Sequence, residues 1–415
     1  MATIRPFMAI RPTAAYAKAV AALPYDVMNS EEARELVKDQ PFSFLHIDKA
    51  EVDLPEGTDL YSDAVYAKAK ENFERMIHQG VFEQDLLPNL YIYRLTMNGR
   101  SQTGLVCCTS VDEYLDGTIK RHELTRADKE ADRIRHVDTL NANTGPIFLA
   151  YKENLDAKAI IDGWTSAVAP IYDFVSEDGI GHTVWMIDSD TEIGMLVQSF
   201  LYTENLYIAD GHHRNASAVK VALKRRVEKP YFTGEEEFNY YLSVLFAADE
   251  LHVMDYNRVV KDLNGYDAES FLAQIGKKFE IEPYAGEGQY RPEARHTFGL
   301  YLEGKWYKLT AKEEILSDDP VLGLDVSLLQ KELLEPVLGI GDPRTDKRID
   351  FVGGIRGLAE LERRVDNGEM KLAFSMFPTS MRELMDVADE GLTMPPKSTW
   401  FEPKLRSGLF IHDLG

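Results

Sequence analysis

The stretch Asn205-Leu206-Tyr207-Ile208-Ala209-Asp210-Gly211-His212-His213-Arg214 sets the frame for the whole chain. Leu206 to Ala209 is a short continuous apolar run of the buried-strand kind, and Asn215 to Leu223 has the pattern of a helix. A strand therefore runs through a glycine turn into a helix start. The unpaired N–H groups and the positive dipole end of such a start favour an anion. Two imidazoles and a guanidinium stand beside them, and Asp210 just ahead is placed to hold a metal ion or steer a proton.

Upstream, Arg121-His122-Glu123-Leu124-Thr125 forms a polar block that leads into a helix expected over about 126–140. Thr125 with Asp128 three residues on reads as a capping box with Asp in place of Glu. On that helix Ala127, Ala131 and Ile134 make an apolar stripe, opposite Thr125, Lys129, Asp132 and His136. Such a charged face is either solvated or lines a cleft.

Helices and strands alternate along the rest of the chain, which predicts a mixed α/β, α+β architecture. Asn98-Gly99 between Leu90–Met97 and 101–111 is a type I′ hairpin signal, and Glu303-Gly304 marks a second hairpin. Asn29 or Ser30 caps a helix to about Lys38, a longer one covers about 59–79, and Ser380-Met381-Arg382-Glu383 is a capping box. Phe42, Phe44 and Ile47 suggest a strand, and Leu251 to Val260 is expected to continue the sheet. Gly353-Gly354 reads as a tight turn or a weak phosphate site. Asp249, His252 and Asp255 read as a loop and strand end more readily than as a metal site. The tail from Thr393 to Phe410, rich in proline and carrying Trp400 and Phe401, reads as a structural clasp. The alternative is that it brings Lys397, Lys404 or Arg406 to an anionic ligand. Three segments are expected: 1–118, 119–264 with the turn, and 265–415 with the docking tail.

At 415 residues with 44% hydrophobic and 10% aromatic content, the chain has the composition of a multi-domain globular protein. No apolar run approaches a membrane span, and residues 1–11 carry no signal peptide, so a cytoplasmic location is expected. The adjacent Cys107 and Cys108 supply neither a disulfide framework nor a zinc set. A net charge of −23 argues against nucleic acid as partner and leaves a small molecule. A homo-oligomer stays open. His212 and His213, about 100° apart on a helix, do not share one metal ion easily. No nucleophile elbow, Walker loop or kinase glycine-rich loop is present.

The Asp210-Gly211-His212-His213-Arg214 turn resembles the phosphate-handling turn of the ParB/sulfiredoxin-like superfamily, whose free serine kinases carry a similar Asp-Gly-x-His-Arg sequence. Arg121 to Thr125 resembles the His-Glu segment that supplies a catalytic carboxylate in those kinases. The order matches, although Asp210 follows Glu123 by 87 positions, so insertions are implied. Pro24-Tyr25-Asp26-Val27, the Arg121 to Tyr151 block and Met394 to Gly408 resemble the signature segments of a large bacterial domain-of-unknown-function family, sometimes labelled partition-protein-like. These resemblances imply a ParB/sulfiredoxin-like core elaborated with further mixed-sheet domains. The implied activity is a kinase acting on free L-serine or a related metabolite, with ATP, ADP or pyrophosphate as donor and Mg²⁺ as cofactor. Glu123, Asp210 and His213 would be catalytic, Asp210 also holding the metal. Gly211, His212, Arg214, Arg121, Thr125 and Lys129 would bind phosphate or nucleotide, and His122 and Arg133 the substrate. A non-catalytic, nucleotide-binding, partition-like regulator and a metal-dependent hydrolase using Asp210, His212 or His213 are the competing expectations.

Overall fold

The computed structural model describes residues 1–415, and the chain divides into two compact units. Met1–Leu251 and Pro403–Gly415 form the first, His252–Glu402 the second. Both are mixtures of helix and sheet, as the alternating pattern predicts.

The first unit is organised on a nine-stranded mixed sheet. Across it lie Ile119–Lys120, Leu206–Asp210, Ile147–Tyr151, Tyr240–Ala247, Arg100–Ser110, Leu90–Met97, Gly181–Ile187 and Tyr172–Val175, with Ile4–Arg5 paired beside Arg100–Ser110. Leu206–Asp210 runs parallel to Ile119–Lys120, and Tyr240–Ala247 parallel to Ile147–Tyr151; the remaining pairs are antiparallel. The Asn98-Gly99 hairpin forms as expected: both residues have positive φ, 51° and 78°, and Met97 faces Arg100 across the turn. Cys107 and Cys108 are free and wholly buried in the central strand. Leu105, Leu149, Leu206, Ile208, Val219 and Leu245 belong to the core that seats the central strands and the helix after the turn.

The expected boundary near 118 does not exist, because Arg100–Ser110 pairs along its length with Tyr240–Ala247 and joins the first two segments in one sheet. The boundary expected near 264 falls at Leu251, since Tyr256–Val260 pairs with Ile349–Gly353 and Leu372–Met376 in the second unit instead of continuing the first sheet. The last thirteen residues, 403–415, return to the first unit. Phe42 to Ile47 gives no strand; Leu45–Asp48 is a single buried helical turn, too short a run for periodicity to separate helix from strand.

The second unit carries a six-stranded antiparallel sheet: Phe279–Pro283, Lys305–Ala311, Thr297–Leu302, Leu372–Met376, Tyr256–Val260, Ile349–Gly353. Its Glu303-Gly304 hairpin and the Ser380–Glu383 capping box form as read. Gly353-Gly354 owes its glycines to close packing: a Cβ would meet the Trp400 indole at 2.6 Å and the Asp255 carboxylate at 2.7 Å. Asp255 is buried and bonded to Arg291 and Asn257, which leaves no support for a metal site there.

Candidate functional site

The turn forms where the sequence places it. Leu206–Asp210 is a strand, Gly211 is the N-cap residue with φ 92°, and the helix spans His212–Glu228. A Cβ on Gly211 would press at 3.2 Å on the Arg214 guanidinium, so glycine is required by conformation and by space. The pairing with Ile147–Tyr151 slips between Ile208, opposite Leu149, and Asp210, opposite Phe148. That bulge re-aims Asp210 at the strand's end. Its Oδ1 accepts the Gly211 N–H at 2.7 Å, and Oδ2 pairs with Lys404 Nζ at 2.9 Å. Burial would push the Asp210 carboxyl up, but Lys404 and Arg214 outweigh it and hold the group well below the usual carboxylate range. Arg214 itself donates to the Pro146 carbonyl.

The Arg121–Thr125 loop reaches this turn because Ile119–Lys120 pairs beside Leu206–Asp210. His122 is buried, and its ring stands edge-on to that of His212, centroids 4.6 Å apart at 89°. Glu123 Oε2 lies 3.8 Å from His212 Nδ1, with the Glu123 side chain 45% exposed. One ligand atom each from His122, Glu123 and His212 falls within 4.8 Å of the others. Burial lowers His122 to about 4, and the Ile208 backbone and Asp210 only partly oppose it. His212 is driven well down by burial and by the neighbouring His122 ring. Both imidazoles are thus neutral at ordinary pH. His213 turns elsewhere, into the field of Asp26 and Glu130, as the 100° divergence of adjacent residues demands.

The remaining expected residues spread outward. Arg121 is exposed and donates to Tyr114 Oη at 3.2 Å. Thr125 is not an N-cap: the helix Ala127–Leu140 is capped by Arg126 without a side-chain bond, and the Thr125 hydroxyl donates to Glu130. Lys129 sits half-buried in the first turn of that helix. The helix follows the expected stripe only in part: Ile134 packs, half-buried, on the cluster of Val137, Val221 and Phe238. Ala127 and Ala131 are exposed, while Glu130, Arg133, His136, Val137 and Leu140 point inward. The buried polar members are satisfied one by one: Glu130 by Lys220 and Thr125, Arg133 by Asp132 and the Tyr25 ring at 4.0 Å, His136 by the Ile47 carbonyl at 3.1 Å. Arg133, Tyr25, Asp48, Thr144 and Arg214 line a cavity of about 20 Å³, room for one water. Arg133 is buried there, its guanidinium paired with Asp132 and lying over the Tyr25 ring.

Sequence reading places Tyr25 and Asp26 only within a family signature, with no role at the site, and passes over Asn215. Tyr25 lies under Arg133, and the charge of Asp26 reaches His213, which ties the Pro24–Val27 segment to the turn. Asn215, fully buried one residue after Arg214, has neither side-chain atom bonded. Buried, unbonded amides are rare, but nothing in the sequence sets this Asn apart from an ordinary helix residue.

The family model described as "Protein of unknown function (DUF1015)" matches residues 4–327. The chain belongs to the DUF1015 family. The matched DUF1015 region contains Tyr25, the Arg121–Thr125 loop and the Asp210 turn, and excludes Lys404. No curated protein matches the chain. Among solved structures similar to this DUF1015 chain is a free serine kinase in complex with AMP, 14% identical with a TM-score of 0.35, covering 72% of this chain and 86% of that one. A conserved hypothetical protein from Pyrococcus furiosus is 15% identical with a TM-score of 0.36, covering 74% and 94%. SbnI with a C-terminal truncation, from Staphylococcus aureus, is 10% identical with a TM-score of 0.38, covering 73% and 85%. No helix of the chain is long and apolar enough to cross a membrane.

Proposed function

We propose that this protein is a small-molecule kinase that transfers a phosphoryl group from ATP, ADP or pyrophosphate to the hydroxyl of free L-serine or a related metabolite. The observation that carries the reading is the 3.8 Å approach of Glu123 to His212. It sets a half-exposed carboxylate against an anion-binding helix start. Phosphoryl transfer asks mainly for positioning and charge neutralisation. The free N–H groups of the helix's first turn, with His212 and Arg214, supply donors for the transferring phosphate, and Gly211 lets the backbone approach it closely. Glu123 takes the proton of the acceptor hydroxyl as its oxygen bonds to phosphorus and the bond to the leaving phosphate breaks. Asp210, kept ionised by Lys404, fixes the turn.

Mg²⁺ fits this donor set poorly. It prefers oxygen ligands in octahedral array, and of the two carboxylates present Asp210 is already engaged by Lys404 and Gly211. No step is assigned to it.

The test is incubation of the full chain with L-serine and each donor, with phosphoserine as the readout. The Glu123→Gln variant is expected to lose roughly 10²–10⁴-fold in turnover while keeping nucleotide affinity. Absence of product with every donor, across a panel of hydroxylated metabolites, overturns the reading; unchanged turnover in Glu123→Gln removes Glu123 from it.

A further inference from the structure

We infer that His122, Glu123 and His212 form a binding site for one borderline divalent transition metal ion, of the Zn²⁺ class. The first ground is the convergence of three ligand atoms within 4.8 Å. The second is independent of it. His122 Nδ1 is buried without a hydrogen-bond partner, on a residue only 2% exposed; His212, 8% exposed, meets Glu123 through Nδ1, and its unpartnered nitrogen is Nε2. Leaving such an atom unsatisfied costs about 1–3 kcal/mol, and an ion bound at His122 Nδ1 would remove that cost there.

The donor chemistry selects the metal. Two imidazoles and one carboxylate are a familiar three-ligand set for Zn²⁺ and its neighbours, and three protein ligands leave a fourth position open. Mg²⁺ and Ca²⁺ want oxygen and discriminate against imidazole. The His122 ring also meets the Ile208 backbone, and an outer bond of this kind fixes a ligating imidazole's orientation. A four-coordinate ion about 2.1 Å from each ligand draws the ligands to about 3.4 Å apart. The half-exposed Glu123 has the freedom to supply that closure.

This placement differs from one centred on Asp210. Asp210 is held by Lys404 and Gly211, and His213 faces away, so neither joins the set. A metal at the trio also occupies the Glu123 carboxylate, so the loaded chain lacks the base of the proposed phosphotransfer. That consequence rests on the kinase reading; the metal binding does not.

The full chain, stripped with a chelator and dialysed against Zn²⁺ alone, is expected to retain one Zn²⁺ per chain by elemental analysis. Co²⁺ is expected to give the visible absorption of a four-coordinate ion, unaffected by a 1,000-fold excess of Mg²⁺. His122→Ala and His212→Ala should abolish both signals, and His213→Ala should keep both. Because a buried histidine variant can fail to fold, Glu123→Gln provides the check at a half-exposed position. It should keep the wild-type melting temperature and weaken Zn²⁺ binding at least about 10-fold. No Zn²⁺ on the wild type, or full retention by a folded His122→Ala chain, overturns the inference, as does loss of metal in a folded His213→Ala. Metal content is read without substrate, so a negative phosphoserine assay leaves this result standing. Zn²⁺ that binds without slowing phosphoserine formation overturns the stated consequence alone.

Discussion

Lys404 meets Asp210 across 194 positions of sequence, and that contact makes the turn's charge state a property of the folded chain. The Lys404 side chain is 12% exposed and Asp210 28%. Removing Lys404 leaves the largely buried Asp210 charge to Arg214 and the Gly211 N–H alone, so Lys404→Met should cost roughly 2–4 kcal/mol. The shift of the urea midpoint measures it. The pH sign follows from the depressed Asp210 carboxyl: its stabilisation is present above the ordinary carboxylate range and is lost as pH falls through and below it. In Lys404→Met that acid-side loss should shrink. Asp210, Gly211 and the histidines were legible because residues one to four apart carry their own geometry. Lys404 was readable only as a cation in search of an anion, and that anion is a carboxylate of the same chain. Asn215 had no signal at all.

Most elements announced by local chemistry formed as read, the Thr125 box excepted. Asn98-Gly99, the Asn29 cap and the Ser380 box act within four residues, and each sits where expected. The helix Ala127–Leu140 shows what such signals omit. Its extent and the packing of Ile134 were legible, but most of its inward face was not, because a face of Glu130, Arg133 and His136 is stable only through partners from other parts of the chain: Lys220, Tyr25 and Ile47. The C-terminal segment 403–415 is likewise a clasp on the first unit. Ser407 bridges Ala22, Ile411 bridges Ile10, and Arg406 pairs with Asp178. Gly408 is its tightest point, with φ 86° and the Phe44 ring 2.6 Å from where a Cβ would lie. Gly408→Ala combines a disfavoured backbone with a ring clash, and should destabilise by about 3 kcal/mol or more. A melting temperature within about 1 °C of wild type would remove the clasp role from this residue.

At the scale of the molecule, the two units were hidden because the first is discontinuous in sequence and no change of composition marks residues 251 or 402. They differ in how they hold ionisable groups, and that difference is measurable. In the first unit His122 is lowered to about 4 by burial, and His136, His182, His212 and His213 are lowered with it. Between pH 4 and about 6.5 the unfolded chain binds protons there that the folded unit refuses, so this unit gains stability as pH rises. In the second unit burial pushes Asp325 up to about 7, with the His296 N–H bond only partly opposing it. Between about pH 4 and 7 the folded unit holds a proton on Asp325 that the unfolded chain has released, so this group withdraws stability as pH rises. His296, lowered by its own burial, acts in the opposite direction, so the Asp325 contribution must be isolated by substitution. Asp325→Asn, neutral at every pH, should melt at about 4 °C or more above wild type at pH 8, with a clearly smaller gain at pH 5, where only the first part of the loss has set in. Calorimetry of the full chain at both pH values reads it. An equal shift at both would mean that Asp325 is ionised throughout and that the carboxylate, not the carboxylic acid, accepts the two His296 N–H contacts.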